Sequence, residues 1–159
     1  LIDEIKTEKG LLSALIYSPP GEGKTTLLRD AARRLSTGTE AMRVCIIDTR
    51  GEIYLSELFS GCIADVMYGY PRAKGMEIAA RTMSAQLIVC DEIGTADEAE
   101  AIISVSNTGV PLLASAHGSS FDDLMRRPPL KKLAQAGVFG KYIGIRRNGG
   151  GYSLSVDEV

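Results

Sequence analysis

The sequence predicts an α/β fold: a mainly parallel sheet flanked by helices, with a C-terminal antiparallel hairpin. Three observations carry this. Short apolar runs recur along the chain, stretches of helical periodicity separate them, and the last two runs are joined by Asn148-Gly149-Gly150-Gly151. Strands alternating with helices need crossover connections, which pair the strands in parallel and cover both faces of the sheet.

Leu11 to Tyr17 is an apolar run that ends at Pro19-Pro20-Gly21, a buried strand entering a turn. From Thr25 onward, Leu27, Leu28, Ala31, Ala32 and Leu35 fall on one helical face until Ser36 and Gly38 stop the pattern. Val44 to Asp48 is a second buried strand. The stretch from Arg50 to Tyr70, with weak periodicity and turn residues at Gly61, Gly69 and Pro71, reads as a long functional loop. Met76, Ala79, Ala80 and Met83 predict a helix, Leu87 to Cys90 a third strand, and Thr95-Ala96-Asp97-Glu98 a capping box opening the next helix. Val110 to Ala114 is a fourth strand. Ser120 and Asp123 cap a short helix that Pro128-Pro129 ends, and Lys131 to Ala136 form another with Gly137 as its C-terminal cap. The hairpin pairs Lys141 to Arg146 with Tyr152 to Val156.

A chain of 159 residues accommodates one domain and is too short for two ordinary ones. With 45% hydrophobic and 24% charged residues it matches an average globular protein, which excludes fibrous and low-complexity classes. No apolar run approaches the roughly 20 residues that span a bilayer, and no signal peptide opens the chain, so a cytoplasmic protein is expected. The cysteines Cys45, Cys62 and Cys90 show no CxxC spacing, which argues against a disulfide framework or a zinc site; Cys45 and Cys90 read as buried thiols. A formal net charge of -2 gives no general pull toward nucleic acid, and the clusters Arg126-Arg127-Lys131-Lys132 and Arg146-Arg147 read as solvated faces. The chain starts at Leu1 rather than Met, so residues 1–159 are expected to form the C-terminal domain of a longer protein whose N-terminal domain lies upstream.

Ser18-Pro19-Pro20-Gly21-Glu22-Gly23-Lys24-Thr25 matches the P-loop pattern at its final Gly-Lys-Thr, with Ser18 where the pattern has its first glycine. Lying between a buried strand and an amphipathic helix, this loop identifies a P-loop NTPase fold of the RecA-like kind. Residues Pro20 to Thr26 form the nucleotide-binding stretch. Backbone N–H groups from Glu22 to Thr25 wrap the β-phosphate, Gly21 and Gly23 permit positive φ, and Glu22 contributes only its N–H. Lys24 bridges the β- and γ-phosphates of ATP, the Thr25 hydroxyl is a ligand for Mg²⁺, and Thr26 is a candidate donor to the α-phosphate. Leu87-Ile88-Val89-Cys90-Asp91-Glu92 is an apolar strand ending in two carboxylates: Asp91 is expected to hold Mg²⁺ through water, and Glu92 to orient or deprotonate the attacking water.

Two further strand ends, Ile46-Ile47-Asp48-Thr49-Arg50-Gly51-Glu52 and Leu112-Leu113-Ala114-Ser115-Ala116-His117-Gly118-Ser119, resemble the Asp box and His box of type II and type IV secretion ATPases. With Met83-Ser84-Ala85-Gln86 before the acidic strand, nearly the whole chain resembles the stage III sporulation protein AA family. The resemblance implies that Glu52 is a second candidate for water activation beside Glu92, and that His117 senses the γ-phosphate. It also implies a homo-hexameric ring serving a membrane channel or secretion apparatus, with Arg50, Arg81, Arg126 and Arg127 as candidates for stabilising the transferring phosphate. Two other functions share these motifs: a nucleotide-gated assembly module with negligible turnover, and, less compatible with the charge, a nucleic-acid motor.

Overall fold

In the computed structural model, which describes residues 1–158, a seven-stranded sheet carries the fold beside a separate two-stranded ribbon. In chain order the elements are α1 (Ile2–Ile5), β1 (Lys6–Thr7), β2 (Gly10–Leu11), β3 (Ala14–Ser18), α2 (Lys24–Leu35), β4 (Val44–Asp48), β5 (Ala64–Tyr68), α3 (Arg72–Thr82) and β6 (Leu87–Cys90). Then follow α4 (Ala96–Ser106), β7 (Leu112–His117), α5 (Phe121–Met125), α6 (Pro128–Gln135), β8 (Lys141–Asn148) and β9 (Gly151–Asp157). The sheet order is β5-β4-β6-β7-β3-β8-β9, parallel throughout except for the β8–β9 hairpin. The expected α/β architecture is therefore present, mainly parallel with a C-terminal antiparallel hairpin.

Strand alternation divides the core into two layers. Leu15, Cys45, Ile47, Ile88 and Cys90 point to the face covered by α3, α4, α5 and α6, where they meet Met76, Ala79, Ile102, Leu124 and Leu133. Ala14, Ile16, Val44, Ile46, Leu87 and Val89 point the other way, onto Leu28, Ala31 and Ala32 of α2 and Ile5 of α1. Both faces being covered explains why these strands read as continuous apolar runs. Cys45 and Cys90 are free buried thiols, and burial pushes the Cys45 thiol up to about 11, which leaves it inert as a nucleophile.

The structure corrects several boundaries. The run from Leu11 to Tyr17 breaks at Leu12-Ser13, because Leu11 pairs with Lys6 in the β1–β2 ribbon while β3 starts at Ala14. The stretch from Arg50 to Tyr70 is not all loop. Ala64–Tyr68 forms the edge strand β5 on β4, and its outward side chains dilute the apolar signal of a buried strand. The fourth strand runs on to His117, and Pro128 opens α6 rather than only ending α5, its fixed φ suiting the first helical turn. The capping box of α4 forms as read: Thr95 Oγ1 accepts from Glu98 N at 3.2 Å, and Glu98 Oε2 accepts from Thr95 N at 2.9 Å. No helix among the described residues is long and apolar enough to cross a membrane.

Glu98 does more than cap. Its Oε1 lies 3.0 Å from Nη1 of Arg72, whose Nη2 lies 3.4 Å from Oδ1 of Asp91, so one guanidinium ties α3 to the end of β6 and the start of α4. Burial alone would raise the Glu98 carboxyl; the N–H groups of Gly94 and Thr95 and the Arg72 guanidinium outweigh it and hold the carboxyl below its ordinary range. A carboxyl depressed in the folded state stabilises the fold above its ordinary pKa, and that contribution is lost as pH falls through the folded value. Glu98→Gln should cost about 3 kcal/mol at neutral pH by leaving Arg72 short of a partner. In thermal melts the gap to wild type should start to narrow as pH falls below the ordinary glutamate range and should close once pH has passed through the depressed folded value; a gap that stays constant throughout acid titration would contradict this assignment.

Candidate functional site

The carboxyl ends of β3, β7, β6 and β4 lie at one end of the sheet, and the loops that leave them build the site. Ser18 closes β3, and the following turn passes through Gly21 at φ 79° and Gly23 at φ 95°, left-handed values that a side chain would strain. Gly23 is the N-cap of α2. It brings no side-chain cap and the first turn carries no acid, so the helix keeps free N–H donors and a partial positive charge at its start. This cradle suits an anion. Ser18, where the P-loop pattern has glycine, is in strand backbone and needs no positive φ; its buried hydroxyl and carbonyl accept from Lys24 Nζ at 3.2 and 3.1 Å.

Lys24 also donates to the Pro19 carbonyl at 3.2 Å and faces His117 Nδ1 at 3.2 Å. Burial lowers its pKa, while the carboxylates of Glu92 and Glu22 pull it back up. Glu22 contributes more than the backbone N–H expected of it: its Oε2 accepts from Arg147 N at 2.7 Å, which ties the loop to the C-terminal hairpin.

Opposite Lys24, the β3–β7 register sets His117 beside Ser18, and Gly118 N donates back to the Ser18 carbonyl at 3.2 Å. From His117, Nε2 lies 2.6 Å from Glu92 Oε1. Lys24 can only donate, so Nδ1 accepts and the ring is the neutral tautomer that donates through Nε2 to Glu92. Glu92 itself stands at φ 42°, a left-handed value for a residue with a side chain. The buried Ser115 holds it there: Ser115 Oγ accepts from Glu92 N at 3.1 Å and its carbonyl accepts from Ile93 N at 2.8 Å. The other Glu92 oxygen, Oε2, pairs with Arg50 Nη2 at 2.5 Å. Arg50, read as a candidate for phosphate stabilisation, thus arrives within its own chain. Of the other arginine candidates, Arg127 pairs with Asp123 at 3.8 Å, and neither it nor Arg81 nor Arg126 lines the cavity.

Glu52 reaches the same space by backbone control. The buried Asp48 carboxylate accepts from the N–H groups of Glu52, Ile53 and Tyr54, each at 2.9 Å, and Arg29 donates to the Ile53 carbonyl at 2.9 Å and to that of Glu52. The result is a cavity of about 400 Å³ lined by Pro20, Gly21, Gly23, Lys24, Thr25 and Thr26 on one side and by Glu52, Glu92 and His117 on the other. Asp91 stays outside it. This carboxylate is buried against Arg72, its Oδ2 has no hydrogen-bond partner, and burial raises its pKa while Arg72 pulls it down and Asp48 pushes it up. The position expected to serve Mg²⁺ therefore faces the core in this structure, and Glu92 is the acid from that strand end that enters the cavity. Sequence reasoning missed the positioning roles of Ser115, Asp48, Arg29 and Arg72; only Asp48, at the end of an apolar strand, carried a visible signal.

Asp48→Ala would strip three N–H groups of their acceptor and should destabilise the chain by about 2–4 kcal/mol in denaturant unfolding. Asp48→Asn, which keeps an acceptor oxygen, should lose less. Equal stability of Asp48→Ala and wild type would mean that the loop carrying Glu52 is held by other contacts.

The sequence profile of the family described as "Sporulation stage III, protein AA" matches residues 1–155. Stage III sporulation protein AA of Bacillus subtilis (strain 168) is 37% identical over 158 residues, covering 91% of this chain and 50% of that protein. The chain thus spans about half the length of that curated relative. Among solved structures, the Legionella pneumophila ATPase DotB superposes with a TM-score of 0.74 at 20% identity, covering 98% of this chain and 46% of that one. The VirB11 ATPase from the Brucella suis type IV secretion system superposes with a TM-score of 0.67 at 17% identity, covering 92% of this chain and 48% of its own. At these identities the likeness is one of fold.

Proposed function

The chain belongs to the stage III sporulation protein AA family, and from that premise we propose that it is the motor domain of a Mg²⁺-dependent ATPase. One observation carries the reading: Lys24, His117 and Glu92 form a continuous hydrogen-bonded line from the phosphate cradle to a carboxylate within one cavity. ATP is the substrate, and the reaction is attack of water on the γ-phosphorus in line with the departing ADP oxygen. Lys24 and the N–H groups of the loop hold the β- and γ-phosphates. Glu92 orients the water and accepts its proton, with Glu52 across the cavity as the second candidate for that role.

Among the described residues no group of three or more His, Cys, Asp or Glu side chains could cage a metal ion. Mg²⁺ suits such a site, since it binds through one or two protein oxygens, substrate phosphates and water. The Thr25 hydroxyl is its proposed ligand, since Asp91, the other position expected to serve the ion, faces the core against Arg72. When bound, the ion neutralises charge on the phosphates. His117 is the proposed sensor. A γ-phosphate that draws the Lys24 ammonium away removes the donor to Nδ1 and frees that side of the ring, which changes how the ring holds Glu92.

We extend the proposal to a C-terminal domain of a longer chain that works as a homo-hexamer with a membrane channel or secretion apparatus; the fold shared with the VirB11 ATPase from a type IV secretion system and the span of about half the curated relative support it. A second reading, a nucleotide-gated assembly module, is favoured by one feature. Arg50 and His117 occupy both oxygens of Glu92, so the carboxylate is engaged until something displaces them.

Mg²⁺-dependent phosphate release from ATP separates the two. Lys24→Ala should abolish it, and Glu92→Gln should slow it about 10²- to 10⁴-fold while ATP binding changes little. Release per chain that rises with protein concentration would support the ring. If Glu92→Gln and Glu52→Gln both release phosphate at the wild-type rate, the catalytic reading fails; tight ATP binding without release would favour the module.

A further inference from the structure

A second cavity opens on the far side of the phosphate loop, between α2 and the C-terminal hairpin. It measures about 330 Å³ and is lined by Leu27, Ile145, Tyr152 and Leu154, with Asp30 the one charged residue on its wall. Gly23 and Thr26 line both this cavity and the phosphate cavity, so the two spaces meet at the first turn of α2. Tyr152 and Leu154 stand two apart on β9 and face the same side of the hairpin. Tyr152 is 57% exposed, a large aromatic surface with nothing over much of it. Its ring is nonetheless placed: a methyl group on Gly23 would lie 3.0 Å from the Tyr152 hydroxyl, and the Glu22 carboxylate fastens the hairpin to the loop through Arg147 N at 2.7 Å.

We propose that this cavity is the nucleobase subsite, with Tyr152 the surface on which the base stacks. The inference rests on the nucleotide reading of the phosphate cavity and extends it to the other half of the ligand. A nucleoside triphosphate has an anionic end and an aromatic end joined at the α-phosphate and ribose. The two cavities have the same order of properties, cradle then apolar slot, with Thr26, the candidate α-phosphate donor, at their junction. A flat aromatic base gains from Tyr152 what any base gains from an aromatic face, independently of its hydrogen-bonding edge. Leu27, Ile145 and Leu154 exclude water around it, and Asp30, an acceptor only, suits an amino group on the base edge. The continuity of the apolar slot with the cradle favours a base over a protein segment as its occupant.

The test compares two probes on one protein: ATP and inorganic tripolyphosphate, each with Mg²⁺, by calorimetry. Tyr152→Ala should weaken ATP binding about ten- to a hundredfold, the size of one base–aromatic stack, and leave tripolyphosphate binding unchanged. Tyr152→Phe should restore ATP binding, and Leu154→Arg, which fills the slot, should weaken ATP selectively as well. Unchanged ATP binding in both Tyr152→Ala and Leu154→Arg would overturn the subsite and indicate that the slot is covered by something else, such as another protein segment. An equal loss for both probes in Tyr152→Ala would also overturn it, because Tyr152 would then be a prop for the loop at Gly23. If wild type binds ATP but not tripolyphosphate, and Lys24→Ala binds ATP as well as wild type, the phosphate reading itself fails; that result is distinguishable from either of the others.

Discussion

The β3–β7 ladder is the constraint on which the rest of the site depends. Because the two strands pair in parallel with Ser18 opposite His117, the end of the phosphate-loop strand and the end of its neighbour cannot move independently. The Gly118 N–H that donates to the Ser18 carbonyl reinforces the junction. Lys24 is anchored on the Ser18 carbonyl and hydroxyl, so the same pairing that sets the sheet register sets the separation between the ammonium and the imidazole. The β6–β7 ladder carries the constraint one strand further, and Ser115 continues it past the last ladder bond to fix the backbone of Glu92.

Polar groups buried at the strand ends do the remaining positioning, and they work in two ways. Asp48 and Glu98 accept backbone N–H groups and so shape the chain that follows each strand, the ordinary use of a carboxylate at a loop or helix start. Arg72 is different: a single guanidinium serves two carboxylates from separate elements and joins α3, β6 and α4. A buried ion pair of this kind adds little net stability compared with an apolar substitute, but breaking it is costly. Its consequence is a fixed spatial relation between the acidic strand end and the helices on that face. Glu92, one residue beyond Asp91, pays for its exact direction with a left-handed backbone, the kind of strain that persists only where neighbouring contacts over-determine it.

Charge in the cavity is arranged as alternating partners, Lys24 to His117 to Glu92 to Arg50, with the neutral imidazole between a cation and an anion. An incoming polyanion would compete for Lys24 at one end of this line and, by altering the imidazole, act on the carboxylate at the other. The loop that brings Glu52 into the cavity leaves β4 through Asp48, so Glu52 is placed by one carboxylate rather than by helix or strand geometry.

Local patterns in the sequence determined the elements and the glycine-rich turn between β3 and α2. Val44 to Asp48, Leu87 to Cys90, the helix of Leu27 to Leu35, the Thr95–Glu98 capping box and the hairpin around Gly149-Gly150 were all legible, because periodicity, turn residues and caps act over a few residues. Gly21 and Gly23 were legible as turn positions for the same reason, and both take left-handed φ ahead of the helix that opens at Lys24. Edge strand β5 was not, since Asp65 and Tyr68 stand exposed at the sheet edge and interrupt the apolar run that marks the others. Only the tertiary structure decided which acid enters the cavity and which faces the core, for Asp91 and Glu92 are adjacent and chemically alike, and what separates them is Arg72 from α3 and Ser115 from β7. The same holds for Tyr152, which lies far from Gly23 along the chain and touches it because β8, the other strand of its hairpin, pairs with β3. Contacts between distant segments are set by strand order and register, and no window of the sequence contains them.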